Sequence, residues 1–271
     1  MDHSFSLKDK VIVVTGGTGI IGKSFINGIT ASGGIAAILG RNEQIAHERA
    51  SEIKEKGGRA IALIADVLDE QALVAANEKL LTAFGRIDGL INAAGGNLPQ
   101  AILQKDDDIF SMNMDGMRKA MDLNLWGTLL PTQVFGKAMA AGNGGSIVNI
   151  SSMSAKKVIT RVMGYSMAKA AVDCYTQWFA VELANRYGDK VRMNAIAPGF
   201  FLTDQNRALL TNQDGSYTDR GNLVLGQTPF KRFGHTDELI GAMQWLLSDA
   251  SKFVTGTVIN VDGGFIVNSG V

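Results

Sequence analysis

A doubly wound α/β fold, with seven parallel strands and helices on both faces of the sheet, is predicted by three observations. Short apolar runs alternate with longer amphipathic segments along the chain. Runs such as Val11-Ile12-Val13-Val14 are apolar on both strand faces, as in parallel strands covered from both sides. Glycine or a polar cluster marks each change of period. No Pro/Ser-rich linker, charge run or internal repeat divides the 271 residues, so residues 1–271 read as one domain.

The elements follow in order. Strand Val11–Thr15 exits at Gly16-Gly17 into helix Ile20–Ala31, and Gly33-Gly34 precede strand Ile35–Leu39. Helix Asn42–Lys56 stops at Gly57-Gly58 before strand Ile61–Ala65, and helix Asp69–Phe84 stops at Gly85 before strand Gly89–Asn92. A long helix across Asp115–Ala141, strand Ser146–Ile150, helix Gly164–Tyr187 and strand Val191–Ala197 continue the rhythm. Helix Asp237–Ser248 and strand Val258–Val261 complete seven strands. Two stretches, 96–114 and 203–229, break the pattern and are expected as irregular segments over a substrate site.

Composition narrows the function classes. With 26 Lys+Arg against 26 Asp+Glu the formal net charge is zero, which argues against nucleic acid as a partner. The apolar runs are far shorter than the roughly 18 residues of a bilayer span. The single Cys174 forms no internal disulfide and the first ten residues contain no apolar signal core, so a cytoplasmic location is expected. His3, His47 and His235 lack metal-ligand spacing, and no metal is expected. Cys174 and the methionines at 112, 114, 117 and 121 read as packing residues, and Asp106-Asp107-Asp108 as a solvated face.

The 32 glycines are the unusual feature, and the informative ones stand at strand exits. Gly16-Gly17-Thr18-Gly19-Ile20-Ile21-Gly22-Lys23-Ser24 satisfies two motifs. Gly17 to Ser24 fits a nucleoside-triphosphate loop, and Gly16, Gly19 and Gly22 fit a dinucleotide-binding turn; both put an anion at a helix N-terminus. The strand ending in Asp66 keeps the triphosphate reading open at this point.

Tyr165 and Lys169 stand at i and i+4 on one helix face, with Ser152 at the end of the strand before. Moving a hydride to or from a carbinol carbon requires a proton to leave or reach its oxygen, and a phenol of pKa near 10 is a poor base at neutral pH. A lysine ammonium ~5 Å away lowers that pKa by about two units.

With these residues in place, the chain resembles a classical short-chain dehydrogenase/reductase from Lys10 to Phe265. Its matching elements include the glycine turn, Asp66-Val67, Asn92-Ala93-Ala94-Gly95 and Asn124-Leu125-Trp126-Gly127. They continue with Ile147 to Ser152, the Tyr165/Lys169 pair, Asn194 to Gly199 with Thr203, and Val261-Asp262-Gly263-Gly264. The resemblance implies a Rossmann-type fold and an NAD(P)-dependent oxidoreductase interconverting a secondary alcohol and a ketone. Tyr165 is then the acid/base, Lys169 its tuner, Ser152 the clamp on the substrate oxygen, and Asn124 part of a water-mediated proton path. Gly16, Thr18, Gly19, Ile21 and Gly22 would hold the cofactor, with Asp66 and Val67 at adenine, Asn92 and Gly95 on the ribose side, and Thr203 at the carboxamide. Tyr165, Lys169, Pro198 and Gly199 complete that set. The family also implies a homotetramer built through the last strand and the two long helices.

The middle glycine falls one position earlier than in classical members, as in sugar-nucleotide epimerases, but only about 70 residues follow Pro198-Gly199, too few for their C-terminal substrate domain. A regulator of this fold would lack the tyrosine, serine or lysine, and all three are present. After the second strand, Gly40 stands where an acid would meet the ribose diol of NAD, and Arg41 is placed for a 2′-phosphate, so NADP(H) is favoured and NAD(H) is the alternative. The loops and the ending resemble the short-chain type of D-mannonate oxidoreductase (fructuronate reductase). Asn97, Gln100, Gln205 and Asn206 suit sugar hydroxyls and Arg207 a carboxylate. Reductases of 3-oxoacyl thioesters, gluconates or polyols are the broader alternative.

Overall fold

The protein is described as a computed structural model covering residues 4–203 and 206–270. Strands β1 (Val11–Thr15), β2 (Ile35–Gly40), β3 (Arg59–Ile64), β4 (Gly89–Asn92), β5 (Gly145–Ile150), β6 (Val191–Pro198) and β7 (Val258–Val261) form one parallel sheet in the order β3-β2-β1-β4-β5-β6-β7. Every residue of β1, β2, β4 and β6 is buried, whereas the edge strands β3 and β7 are partly exposed. That difference explains the two-faced apolar runs read in the sequence.

Helices α1 (Ile20–Ala31), α2 (Glu43–Glu55) and α9 (Ile240–Leu247) pack on one face, where Ile12 and Val14 of β1 meet Phe25, Ile29, Ile53 and Met243. Val11 and Val13 point the other way, toward α3 (Glu70–Phe84), α5 (Gly127–Ala141) and α6 (Met163–Tyr187), through Leu73, Leu80, Phe135 and Leu183. The period-2 alternation of a strand thus divides the core into two layers. Asn42 and Asp69 cap α2 and α3, accepting from the backbone N–H of Ile45 and Ala72 at 3.0 Å each. Among the described residues no helix is long and apolar enough to cross a membrane.

Two expectations are corrected. The helix expected across Asp115–Ala141 is α4 (Met114–Met121) joined to α5 by a π-helical segment, Asp122–Trp126. The stretch expected to be irregular over 203–229 contains α7 (Arg207–Leu210) and α8 (Asp219–Gln227). These short helices rest on a small cluster of their own, Leu210, Val224 and Phe233, rather than on either face of the sheet. The 96–114 stretch carries two single 3₁₀ turns, Pro99–Ala101 and Ile109–Ser111, before α4 begins at Met114.

Candidate active site

Strand order reverses between β1 and β4, which opens a crevice at the carboxyl ends of the strands. The glycine turn lies there. Gly16 has φ +64°, and a Cβ on it would stand 2.8 Å from the Ala93 carbonyl oxygen and the Ala94 nitrogen at the β4 exit. A Cβ on Gly22 would stand 2.3 Å from the Gly16 carbonyl oxygen. The Thr15 hydroxyl fixes the neighbouring segment by accepting from the N–H groups of Ala93 and Ala94, each at 3.1 Å. Gly19 caps α1 without a side-chain bond, so the first amides of the helix remain open to an anion. Arg49 of α2 covers the opposite side of the turn, donating to the carbonyls of Gly17 and, at 2.8 Å, Gly19. Its role was not legible in the sequence, because nothing local ties it to the turn.

The triphosphate reading fails on Ser24. Its hydroxyl is buried and donates to Thr236 Oγ1 at 2.7 Å, away from the turn, while Lys23 is exposed in a cleft between α1 and α2. A dinucleotide fits the remainder. Thr18 fills the place where a side chain at Gly40 would project, since a Cβ there would meet Thr18 Oγ1 at 2.7 Å. Arg41 is 75% exposed and lies 3.6 Å from the Asp66 carboxylate, whose other oxygen accepts from Leu68 N–H at 3.0 Å. Val67 is buried against α5 at Gly127.

Asn92 departs from its expected contact. Its side chain is buried, and its amide donates to Thr132 Oγ1 at 2.8 Å and Asn149 Oδ1 at 2.9 Å; Asn149 in turn donates to Thr176 Oγ1 at 2.9 Å. This ladder ties β4 and β5 to α5 and α6 and takes the Asn92 side chain away from the expected ribose contact.

Tyr165 and Lys169 stand one turn apart near the start of α6. Lys169 Nζ lies 5.5 Å from the Tyr165 ring centre and donates to the Ile150 carbonyl at the end of β5 at 2.7 Å. Burial pulls the Lys169 pKa down to about 8, with the Asp173 charge opposing. Burial pushes the Tyr165 phenol up, and its hydrogen bond to Ser152 acts in the other direction. Ser152 is held at the β5 exit by a 3₁₀ turn, its Oγ accepting from Ser154 N–H at 3.2 Å and from the Ser154 hydroxyl at 3.0 Å.

Asn124 sits in the π-helical segment, a distortion that often marks functional sites. Its Oδ1 accepts from Gly96 N–H, and its Nδ2 donates to the carbonyls of Gly96 and Ala120, each at 2.9 Å. A Cβ on Gly95, φ +155°, would stand 2.6 Å from Asn124 Oδ1 and 3.3 Å from Lys169 Nζ, so the three groups converge. The Asn124 amide fixes the wall at Gly95-Gly96, and the Asn124 main-chain carbonyl accepts from the Thr128 hydroxyl at 2.9 Å.

A cavity of about 270 Å³ gathers Ile21 of the glycine turn with Ser152, Tyr165, Pro198, Gly199 and Thr203. Asn97 and Asn206 also line it. The Asn206 side chain is already engaged, accepting from Thr203 N–H and donating to the Phe201 carbonyl, both at 2.8 Å. Gln100 lies in the adjoining groove instead. Arg207 is exposed and outside the cavity lining, which removes the expected carboxylate contact, and Gln205 lies outside the described residues. Two arginines that the sequence reading missed, Arg161 and Arg220, do line the cavity. No motif marks them; only the fold brings the segment after β5 against α8.

Comparison with known proteins agrees with this geometry. Residues 19–266 match the family model described as enoyl-(acyl carrier protein) reductase. The uncharacterized oxidoreductase UxuB of Bacillus subtilis is 42% identical, over 98% of each chain. A solved structure from Haemophilus influenzae, provisionally named a D-mannonate oxidoreductase and containing bound NAD, is 41% identical over 98% of each chain with a TM-score of 0.90. A gluconate 5-dehydrogenase from Burkholderia cenocepacia, in complex with NADP and tartrate, is 31% identical over 97% of this chain and 98% of that one, with a TM-score of 0.85. The chain therefore belongs to the short-chain dehydrogenase/reductase family and is an oxidoreductase acting on alcohol and ketone groups with a nicotinamide cofactor.

Proposed function

We propose that this enzyme interconverts a sugar acid and its keto form, with D-mannonate and D-fructuronate as the pair and NADP(H) favoured over NAD(H). The observation that carries the reading is the single cavity in which Ile21 of the cofactor turn meets Ser152 and Tyr165, with Lys169 buried behind them. The nicotinamide accepts or supplies the hydride. Ser152 binds the substrate oxygen, Tyr165 removes or returns its proton, and Lys169 stabilises the phenolate. Asn124 holds the Gly95-Gly96 wall, and its carbonyl, which already accepts from the Thr128 hydroxyl, keeps a second lone pair for a proton-carrying water. Gly16, Thr18, Gly19 and Gly22 form the cradle, Asp66 and Val67 border the adenine, and Thr203 meets the carboxamide.

The sugar-acid reading is supported by resemblance to proteins named for mannonate and gluconate, and by Asn97 on the cavity wall. NADP(H) preference is supported by glycine rather than an acid at position 40, with Thr18 occupying the space beside it, and by an exposed Arg41 3.6 Å from the Asp66 carboxylate. The exposed Trp178 and Val181 on α6 support a homotetramer, and the protein is proposed to work in the cytoplasm as one domain. Steady-state rates for D-fructuronate, 5-keto-D-gluconate and an acetoacetyl thioester, each with NADPH and NADH, test the reading. Fastest turnover of D-fructuronate with NADPH is expected; turnover of the thioester alone would refute the sugar-acid assignment.

A further inference from the structure

Resting on the sugar-acid reading, the geometry points to Arg161 and Arg220 as the clamp for the substrate carboxylate, at the end of the cavity away from the reacting carbon. The two side chains come from the segment after β5 and from the first turn of α8, and both line the catalytic cavity. No aspartate or glutamate is among the described residues lining that cavity. The adjoining groove, which both arginines also line, holds Asp107, whose carboxylate accepts from Gln104 N–H at 2.6 Å and forms no ion pair with either arginine. Arg220 is half-buried, and among the described residues its side chain makes no hydrogen bond and no ion pair. Burial and the neighbouring Arg161 charge both push its pKa below the usual arginine value. Two neighbouring guanidinium groups with no ion-paired acid are at a disadvantage that a bound anion relieves.

Arg161 is built into place. Its backbone has φ +77°, a conformation uncommon for a residue with a side chain. The Arg161 carbonyl accepts from Leu103 N–H at 2.9 Å, and Arg161 Nε donates to the Leu103 carbonyl at 2.8 Å. One Nη2 hydrogen is taken by Gln104 Oε1, so three of its five donors remain for a ligand. The phosphates of a cofactor are provided for elsewhere, at the α1 N-terminus after β1. The anion at the arginine pair is therefore the substrate's own. A linear keto acid with its ketone at Ser152 and Tyr165 and a carboxylate farther along the chain satisfies both ends.

D-Fructuronate and D-fructose test this directly, because they share one carbon chain and differ in bearing a carboxylate or a hydroxymethyl group. The wild-type enzyme is expected to prefer the acid. Arg220→Gln, which breaks no hydrogen bond in the protein, should lower kcat/KM for D-fructuronate about 10- to 100-fold, as for loss of a charged hydrogen bond, and leave D-fructose within about twofold. Arg220→Lys should recover part of the loss. Equal losses on both sugars, or no loss on either, would overturn the clamp, as would a wild-type enzyme without preference for the acid. Calorimetric binding of D-mannonate, D-gluconate and mannitol to the NADPH-loaded enzyme, where these alcohols have no hydride acceptor, separates the clamp from the substrate assignment. If an acid binds through Arg220 but D-fructuronate is not reduced, the clamp stands and the mannonate reading fails; if neither acid binds better than mannitol, the clamp fails.

Discussion

Replacing Lys169 with methionine removes a charge that the fold keeps buried beside the Tyr165 ring. Taking the 5.5 Å between Lys169 Nζ and the Tyr165 ring centre as the scale of the charge separation, an ammonium stabilises a phenolate by about 3 kcal/mol at an effective dielectric of 20, or about two pKa units. At a fixed pH below the tyrosine pKa the phenolate fraction then falls about 100-fold, and alcohol oxidation should fall at least as far. Stability provides a second, independent reading. The Lys169 pKa is about 8 in the folded protein and roughly 10.4 in an unfolded chain. Between these values the unfolded state binds more protons, so stability rises with pH across that window; below it, the wild type carries a penalty of about 3 kcal/mol for burying the charge. Methionine has no such dependence. It does leave the Ile150 carbonyl without its donor, at a cost of ~1–3 kcal/mol that does not vary with pH. Urea unfolding of both proteins without cofactor, at pH 7 and pH 10, isolates the effect. The wild type should gain roughly 2 to 3 kcal/mol on the variant over that interval. A difference that stays constant would refute the depressed lysine pKa, and undiminished oxidation by Lys169→Met would refute its tuning of Tyr165.

Tyr165→Phe should abolish turnover while NADPH fluorescence titration still reports cofactor binding; retained activity would move the acid/base elsewhere. Arg41→Ala should raise KM for NADPH about 10-fold or more with little change for NADH, as expected for one charge-assisted contact, and parallel changes would remove the 2′-phosphate role. Arg49→Ala frees the carbonyls of Gly17 and Gly19, so cofactor Kd should rise about 10-fold with the keto-substrate KM unchanged; an unaltered Kd would show that the turn is rigid without it.

Much of the fold was legible because its signals are local. The starts and ends of β1, α1, β4 and β7 fall where glycine and the apolar runs put them. The Tyr165/Lys169 pair was legible for the same reason, since helical spacing alone sets both on one face. The α8 helix was missed because two glycines dilute a nine-residue segment, and its stabilising contacts with Leu210 and Phe233 lie outside it. The long helix was expected as regular because a π-helical segment adds no visible break to the apolar pattern.

By itself the sequence determined the alternation of strands and helices, the glycine turn after β1 and the helical pairing of Tyr165 with Lys169, because each is a matter of residue type at short spacing. Only the tertiary structure decided what long-range packing controls. It turned Asn92 into the sheet rather than toward a ribose, used the Asn124 amide to hold Gly95-Gly96, and sent Ser24 to Thr236. It also left Arg207 outside the cavity and brought Arg161 and Arg220 to its wall with neither paired to an acid. Side-chain direction and counter-charge depend on which distant segments meet, and no local pattern encodes that meeting.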